Sequence, residues 1–500
     1  MIRVCCDKKD KDLKNFWGHI VFHPTNAIED DWGKAQLDKI AEDGAARVIR
    51  IYTMFEEIVT LDENGEMQFD FTMHDYRLDY LLSKGFEPYL VYAFIPPWLS
   101  VEQEERLIKP RYKDLIFYRS YPSDYAKWGE ICRVYTQHLV DRYGEDVVAQ
   151  WRMHCYNEPD WYHFFHDSAK TSHERAAEYC KLYDAFVDGV LAVSDKLQIG
   201  GLGLGGSPKN FEFLEDFLLH IKETGKRLDF ISYHAYGTSP EQIEDGTKPT
   251  DVRGPLYDTM ILKRMLRVYG VDHLPLVCDE WGAITEGYLD KTRVPEMIFR
   301  ENEEYAAYFA RLITRYDEMD APYDQMMLCL SGAHDLKGDF MGNRNFFSKS
   351  FYPKPIYNAF VLGNKLGDEK MFFYQDFADE HIDIMPSRHS KDGHMSMLLC
   401  YGDDSFTLAR PTRNFEFEMS GIKEHYRVVK YVIDKTHANA YTKFVELGEP
   451  QEPSEEVKQA IREAGTIKAE EMGVITPEDN QVTVTMENNA VVLLEFFPVQ

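Results

Sequence analysis

Long apolar runs are missing from this chain. None of its segments approaches the roughly 18 apolar residues that a membrane-spanning helix needs. The N-terminus, MIRVCCDKKDKDLKNFWG, puts charges where a secretion signal needs an apolar stretch. Cysteine is scarce, with 8 in 500 residues and no Cys-x-x-Cys pair. Cys5 and Cys6 are adjacent and poorly placed to bridge each other. A disulfide scaffold is excluded, and scattered thiols point to a reducing compartment. Positive charge is also short: 56 Lys and Arg face 85 Asp and Glu, a net charge of −29. That balance argues against wrapping nucleic acid or lying on an anionic membrane. No internal repeat or low-complexity tract is visible. The expectation is a cytoplasmic protein with no nucleic-acid or membrane partner.

What is present is a chain with 44% apolar residues, enough for a sizeable core. Short runs rich in β-branched and aromatic residues read as buried parallel strands at 17–23, 46–53, 87–94, 148–157, 198–204, 228–236, 275–281 and 325–331. Helix-like segments lie between them, near 32–43, 74–84, 122–143, 169–194, 208–224, 252–269, 301–319 and 355–366. Eight strand–helix alternations predict a (β/α)8 TIM barrel, with an open doubly wound sheet as the competitor. Ser207-Pro208 and Pro122-Ser123 read as helix starts, and Gly85 and Gly144 as helix stops. After residue 367 the segments 380–385, 394–401, 425–433, 481–486 and 490–497 alternate or run apolar, mostly without helices between them. They predict a C-terminal antiparallel β-sandwich, interrupted by one helix over 453–465 that Ser454 caps and Gly465 ends. The expected division is a barrel at 14–366 and an accessory domain at 367–500, with residues 1–13 as candidates to join it.

The segment Gly200-Gly201-Leu202-Gly203-Leu204-Gly205-Gly206 sits between a strand and a helix, where a phosphate loop would be. It lacks the Lys-Ser/Thr of a Walker loop, and no acidic residue follows at dinucleotide-binding spacing. Tight turns and close backbone approach are the favoured explanation, and no cofactor is expected.

The chemistry concentrates at strand ends. Asn157-Glu158-Pro159 closes the fourth strand, which puts a carboxyl group at the C-terminal mouth where barrel active sites lie. A second carboxylate, Glu280, closes the seventh strand in Val277-Cys278-Asp279-Glu280-Trp281. Strands four and seven face each other across the mouth. Two glutamates so placed fit glycoside hydrolysis, one protonating the leaving oxygen and the other attacking or activating water. Retention of configuration requires Glu280 as nucleophile and Glu158 as acid/base, with Glu158 raised in pKa and Glu280 ionised. Asn157 can bond a sugar hydroxyl. His234 and Tyr236 end the sixth strand and share a face by period two. Arg50 and Tyr52 end the second strand with the same spacing, and a buried Arg50 needs a carboxylate, for which Glu280 is the natural partner.

Aromatic platforms for a sugar are sought among Phe94 and Trp98, then Trp161, Tyr162, Phe164 and Phe165, and Trp281 after the nucleophile. His154, His163 and His166 with Asp160 or Asp167 form a candidate metal-ligand set. No His-Glu-x-x-His motif or cysteine pair supports it, and polar lining of a sugar pocket is preferred.

These residues together resemble glycoside hydrolase family 39, which includes β-xylosidases and α-L-iduronidases. The stretch from Asp124-Tyr125-Ala126-Lys127-Trp128 to Asp141-Arg142-Tyr143-Gly144 is similar to the family's helix before the catalytic strand. His437-Ala438-Asn439-Ala440-Tyr441-Thr442, Glu452-Pro453 and the final Val491-Val492-Leu493-Leu494-Glu495 resemble its β-xylosidase side. The resemblance implies a retaining double displacement with Glu158 as acid/base and Glu280 as nucleophile. It also implies that Arg50, Asn157, His234 and Tyr236 line the site, with Phe94 and Phe164 near the sugar. Tyr52 stands where family xylosidases carry His, and Met326-Met327-Leu328-Cys329-Leu330-Ser331 lacks their Trp. The expected function is a retaining exo-glycosidase, β-xylosidase-like, with α-L-arabinopyranoside, β-galactoside or α-L-iduronide as other glycones. An iduronide would need a cation for its carboxylate, from Arg344 or Lys337. A carbohydrate-binding protein on an inactive barrel is the rival from another class, and a metal-dependent lyase or isomerase is a third. A homo-oligomer is compatible with the resemblance.

Overall fold

The computed structural model describes residues 1–22, 25–102, 105–107, 116–118, 120–161, 164–165, 170–206, 211–285, 287, 289–319, 323–331, 337–376 and 379–499. Eight parallel strands close into a barrel: β1 (His19–Phe22), β2 (Val48–Tyr52), β3 (Glu87–Tyr92), β4 (Arg152–Cys155), β5 (Gln198–Leu204), β6 (Phe230–Thr238), β7 (Leu276–Ile284) and β8 (Gln325–Leu330). They neighbour one another in chain order, and β8 pairs with β1 to close the ring. Strands buried on both faces need apolar residues throughout, and β2, β7 and β8 are buried at every position.

The outer ring holds α1 (Asp31–Asp43), α2 (Thr72–Ser83), α3 (Tyr125–Tyr143), α4 (Ser172–Leu191), α5 (Phe211–Thr224), α6 (Arg253–Tyr269), α7 (Glu303–Glu318) and α8 (Pro355–Gly363). Their ends follow local chemistry. Asp30 caps α1 by accepting from Trp32 and Gly33 amides, and Thr171 and Glu174 form a reciprocal capping box on α4. Helix α3 begins at Tyr125 under an Asp124 cap, not at Pro122-Ser123, because the Asp124 carboxylate accepts the Ala126 and Lys127 amides. Gly144 ends α3 as expected. Strand β4 is shorter than the sequence suggests, since Glu145–Val148 winds into a helical turn first. Ser207-Pro208 lies outside the described residues.

The second domain is one nine-stranded sheet. Eight of its strands come from residues 369–499, including three beyond the sequence expectation: Glu369–Gln375, Arg413–Ser420 and Ala469–Ile475. The ninth is the N-terminal strand Ile2–Asp12, antiparallel to Glu369–Gln375 and parallel to Arg413–Ser420. Ile2, Val4, Met397, Phe417, Val484 and Leu494 belong to a core separate from that of the barrel. Ser454 caps the helix Glu455–Gly465 as its sequence indicates. Ion pairs join the two units: Arg311 of α7 meets Asp383 at 3.1 Å in a buried pair, and Arg315 meets Asp404 at 3.1 Å in a half-buried one.

Candidate active site

The site is assembled at the C-terminal ends of β2, β4, β6 and β7. After β4 the chain turns sharply, with Tyr156 at φ 67° and Glu158 at φ 47°. Left-handed backbone is costly for such side chains and is kept where the surroundings over-determine it. Two bonds do so here: the Tyr156 amide donates to Tyr92 O at 3.2 Å, and the Glu158 amide to Gly203 O at 3.0 Å. The turn leaves Glu158 5% exposed, with Oε1 2.7 Å from His234 Nδ1.

On β7 the pairing slips. Cys278 opposes Met326 and Trp281 opposes Leu328, so Asp279 and Glu280 together face one residue of β8. This bulge lets two successive side chains turn into the barrel, which strict alternation forbids. Both reach Arg50. Its Nη1 donates to Glu280 Oε1 at 2.8 Å, and its Nη2 lies 3.1 Å from Asp279 Oδ2 and donates to Asn157 Oδ1 at 2.8 Å. Tyr236 Oη donates to Glu280 Oε2 at 2.8 Å, and Tyr52 Oη lies 3.3 Å from Oε1.

The two glutamates are driven apart in protonation. Burial acts to raise Glu280, but His234, Arg50, Arg344 and the Tyr236 hydroxyl hold it well below the usual carboxylate range. Burial raises Glu158, with the charges of Glu280 and Asp160 adding and His234 opposing. Burial acts to lower His234, yet Glu280, Asp279 and Glu158 push it up to about 9. The site therefore favours an ionised Glu280 and a cationic His234, while Glu158 is pushed up from its ordinary value.

Most of the candidates read from sequence converge here. Arg50, Tyr52, Asn157, Glu158, His234, Tyr236 and Glu280 form one bonded cluster. Phe94 stacks between Tyr52, at 5.3 Å and 25°, and Phe164, at 6.2 Å and 14°. Trp281 is not with them. Its ring is fully buried among Tyr308 and Phe309 of α7 and Phe360 of α8, on the outside of the barrel wall. Once the bulge turns Glu280 inward, the next side chain must face out. Trp161 is 40% exposed, Phe165 is fully buried against Tyr156, and the Trp98 indole donates to Val59 O. Tyr162, His163, His166 and Asp167 lie outside the described residues.

Two residues join the site that the catalytic reading passed over or could not place. Asp279 has no signal under period two, which points it outward. Arg344 is 5% exposed, and its Nη1 lies 3.2 Å from Tyr236 Oη. Lys337 is paired with Asp290 at 2.6 Å. His154 is buried against Ser232 Oγ at 2.6 Å, and burial holds it well below its ordinary pKa. One atom each from Glu158, His234 and Glu280 falls within a 4.8 Å spread, the one group among the described residues with metal-ligand spacing. A cationic imidazole donates instead of ligating, so this set favours proton chemistry over metal binding at neutral pH. The glycine-rich end of β5 already holds an anion of the chain itself: the Gly205 and Gly206 amides donate to Asp160 Oδ1 and Oδ2 at 2.8 and 2.9 Å.

A closed (β/α)8 barrel with paired carboxyl groups at its mouth defines the class: a barrel enzyme of the glycosidase type. The sequence profile described as glycosyl hydrolases family 39 matches residues 1–483, and the chain belongs to that family. It is a glycosidase. A β-xylosidase of Caldicellulosiruptor saccharolyticus is 24% identical over 498 residues, spanning 96% of this chain and 95% of the relative. A β-xylosidase of Geobacillus stearothermophilus is 24% identical over 464 residues, spanning 86% and 82%. The fold is shared with a monomeric β-xylosidase from Caulobacter crescentus at TM-score 0.80 and 20% identity, covering 100% of this chain and 99% of that one.

Proposed function

We propose that the protein is a retaining, exo-acting glycosidase that releases a terminal β-D-xylose, with Glu280 as nucleophile and Glu158 as acid/base. The observation that carries this is the opposed protonation of two buried carboxyl groups whose nearest oxygens fall within 4.8 Å. An approach this close is nearer the roughly 5–5.5 Å separation of retaining enzymes than the about 6.5–9.5 Å of inverting ones, which supports retention. In the first step Glu280 attacks the anomeric carbon while Glu158 gives its proton to the departing oxygen. In the second, water attacks the glycosyl ester, Glu158 takes the water's proton, and Glu280 leaves as carboxylate. Arg50, Tyr52 and Tyr236 hold Glu280 in line, and Asn157 faces the sugar hydroxyl beside the reacting carbon. The xylose assignment draws on the names of the two relatives. All eight cysteines are free thiols, which supports action in a reducing cytoplasm. Among the described residues no helix is long and apolar enough to cross a membrane.

A second reading rests on Arg344. Its guanidinium beside Tyr236 and Glu280 gives the mouth a cation suited to an anionic glycone such as an α-L-iduronide. Rates on aryl β-D-xyloside, α-L-arabinopyranoside, β-D-galactoside, β-D-glucoside and α-L-iduronide decide between them. Proton NMR of the first-formed anomer reads the stereochemistry. Retained configuration, abolished in Glu280→Ala and replaced with azide by a glycosyl azide of inverted configuration, is the expected result. Full activity in Glu280→Ala overturns the assignment, and tight sugar binding without turnover returns the inactive-barrel reading.

A further inference from the structure

The glycine-rich end of β5 has no part in the two steps above, yet it is built around Glu158. A Cβ on Gly205 would lie 2.6 Å from Glu158 Cδ and 2.7 Å from Oε1, so only glycine leaves the carboxyl its space. A Cβ on Gly203, at φ +60°, would meet His154 Cε1 at 2.8 Å. The segment is fixed from the other side by Asp160, two residues past Glu158. Its carboxylate is 3% exposed and takes one amide on each oxygen, from Gly205 and from Gly206. With the Glu158 amide bonded to Gly203 O, three bonds tie the turn after β4 to the end of β5. The Glu158 carboxyl is enclosed between them.

We propose that Asp160 is a positioning residue for the acid/base: it clamps the Gly205–Gly206 backbone into the wall on which the Glu158 carboxyl rests, and sets a negative charge beside it. The proposal rests on Glu158 being the acid/base. Glu158 is faced by His234 and Glu280 as well as Asp160, and Asp160 by His234 and by Arg175 of α4. Of these neighbours, Glu280 and Asp160 favour the protonated acid and His234 opposes it. Burial raises Asp160 itself, with the two amide bonds acting against that. Clamp and charge act together: one fixes where the proton is delivered, and the other keeps it in place.

The test is Asp160→Asn, compared with wild type on 2,4-dinitrophenyl and on unactivated alkyl glycosides of the preferred sugar. The amide group keeps one acceptor and loses the other, together with the charge. The expected result is a loss of about tenfold or more on the alkyl glycoside, which needs the acid, and a much smaller one on the activated substrate. The alkaline limb of kcat/KM moves to lower pH. Equal losses on both substrates with an unmoved limb mean a structural role only and overturn the proposal. Gly205→Ala approaches the same contact from the glycine side and stands in where Asp160→Asn does not fold. It should show the same selectivity for leaving group, and a uniform loss counts against the wall. Carboxyl 13C-NMR titration of Glu158 needs no turnover. A downward shift in Asp160→Asn supports the clamp even where wild type cleaves none of the glycosides, which would sink the functional reading alone. An unmoved Glu158 overturns the clamp.

Discussion

Arg50→Lys separates charge from geometry at Glu280. The wild-type guanidinium spreads two nitrogens over three acceptors: Glu280 at 2.8 Å, Asn157 at 2.8 Å and Asp279 at 3.1 Å. It is fully buried, so no water replaces a lost bond. An ammonium keeps the positive charge but is a single point, and it meets one of the three acceptors well. Two charge-assisted bonds are then lost or stretched, at about 1.5–3 kcal/mol each. If about half of that ~3–6 kcal/mol appears in the transition state and half as lost stability, kcat/KM falls about 10- to 100-fold. Glu280 keeps a cation beside it, so its ionisation and the acidic limb of the pH profile stay near their wild-type positions. The assay is kcat/KM against pH on the best aryl glycoside, with thermal unfolding of the same samples. Wild-type kcat/KM and unchanged melting in Arg50→Lys would refute the view that the fork aligns the nucleophile. An intact rate with an unmoved acidic limb would show that charge alone matters.

Glu158→Gln should abolish turnover of alkyl glycosides and spare activated ones, with azide raising the rate on the latter and giving a glycosyl azide of retained configuration; a uniform loss contradicts its role. Wild-type activity should fall as pH rises through the Glu158 pKa, which burial raises, because the first step needs the proton; His234→Gln removes the cation that opposes this and should carry the limb to still higher pH. Trp281→Ala should cost about 3–5 kcal/mol of stability by emptying its place between α7 and α8, while KM of the folded enzyme is unchanged; a raised KM would restore the ring to the sugar site. Asp279→Asn should lower the His234 pKa from about 9, since one of the carboxylates that raise it is gone; imidazole NMR reads this, and an unmoved His234 refutes it.

The barrel is legible because its strands are short, largely apolar and buried, and because helices such as α1, α3 and α4 carry side-chain caps. Strand β5 and its glycines can be read to the residue, as can the Ser454-capped helix. The glutamate pair is legible for a related reason: carboxyl groups at strand ends of this fold are exposed to chemistry by topology alone. What is lost is phase. Counting by twos from Glu280 puts both Asp279 and Trp281 on the outer face of β7; Trp281 stays there, and the bulge brings only Asp279 inside. Nothing local marks it, because a bulge is a property of the pairing with β6 and β8. The N-terminal strand is hidden for another reason. Ile2, Val4 and Cys6 alternate inward, but the Asp-Lys-Lys-Asp that follows reads as a solvated charge run until its partners from residues 369–375 and 413–420 are in place. The Phe415, Phe417 and Met419 alternation was available in the sequence and belongs to that same sheet.

The bulge also explains how a buried site can keep one glutamate ionised. Holding Glu280 charged takes cations, and the barrel supplies Arg50 and His234, both buried. Two cations against one carboxylate would leave excess charge in low dielectric, which is costly. Asp279 balances it, 3.1 Å from Arg50 and 3.7 Å from His234 Nε2, and only the slip in pairing brings it inside together with Glu280. With Asp279 paired to the cations, His234 stays protonated and lies 2.7 Å from Glu158 and 3.7 Å from Glu280. One backbone irregularity thus admits a third carboxylate, whose charge helps keep His234 cationic between the two glutamates. A regular β7 would carry one fewer acid into the barrel, and His234 would lose a charge that keeps it cationic.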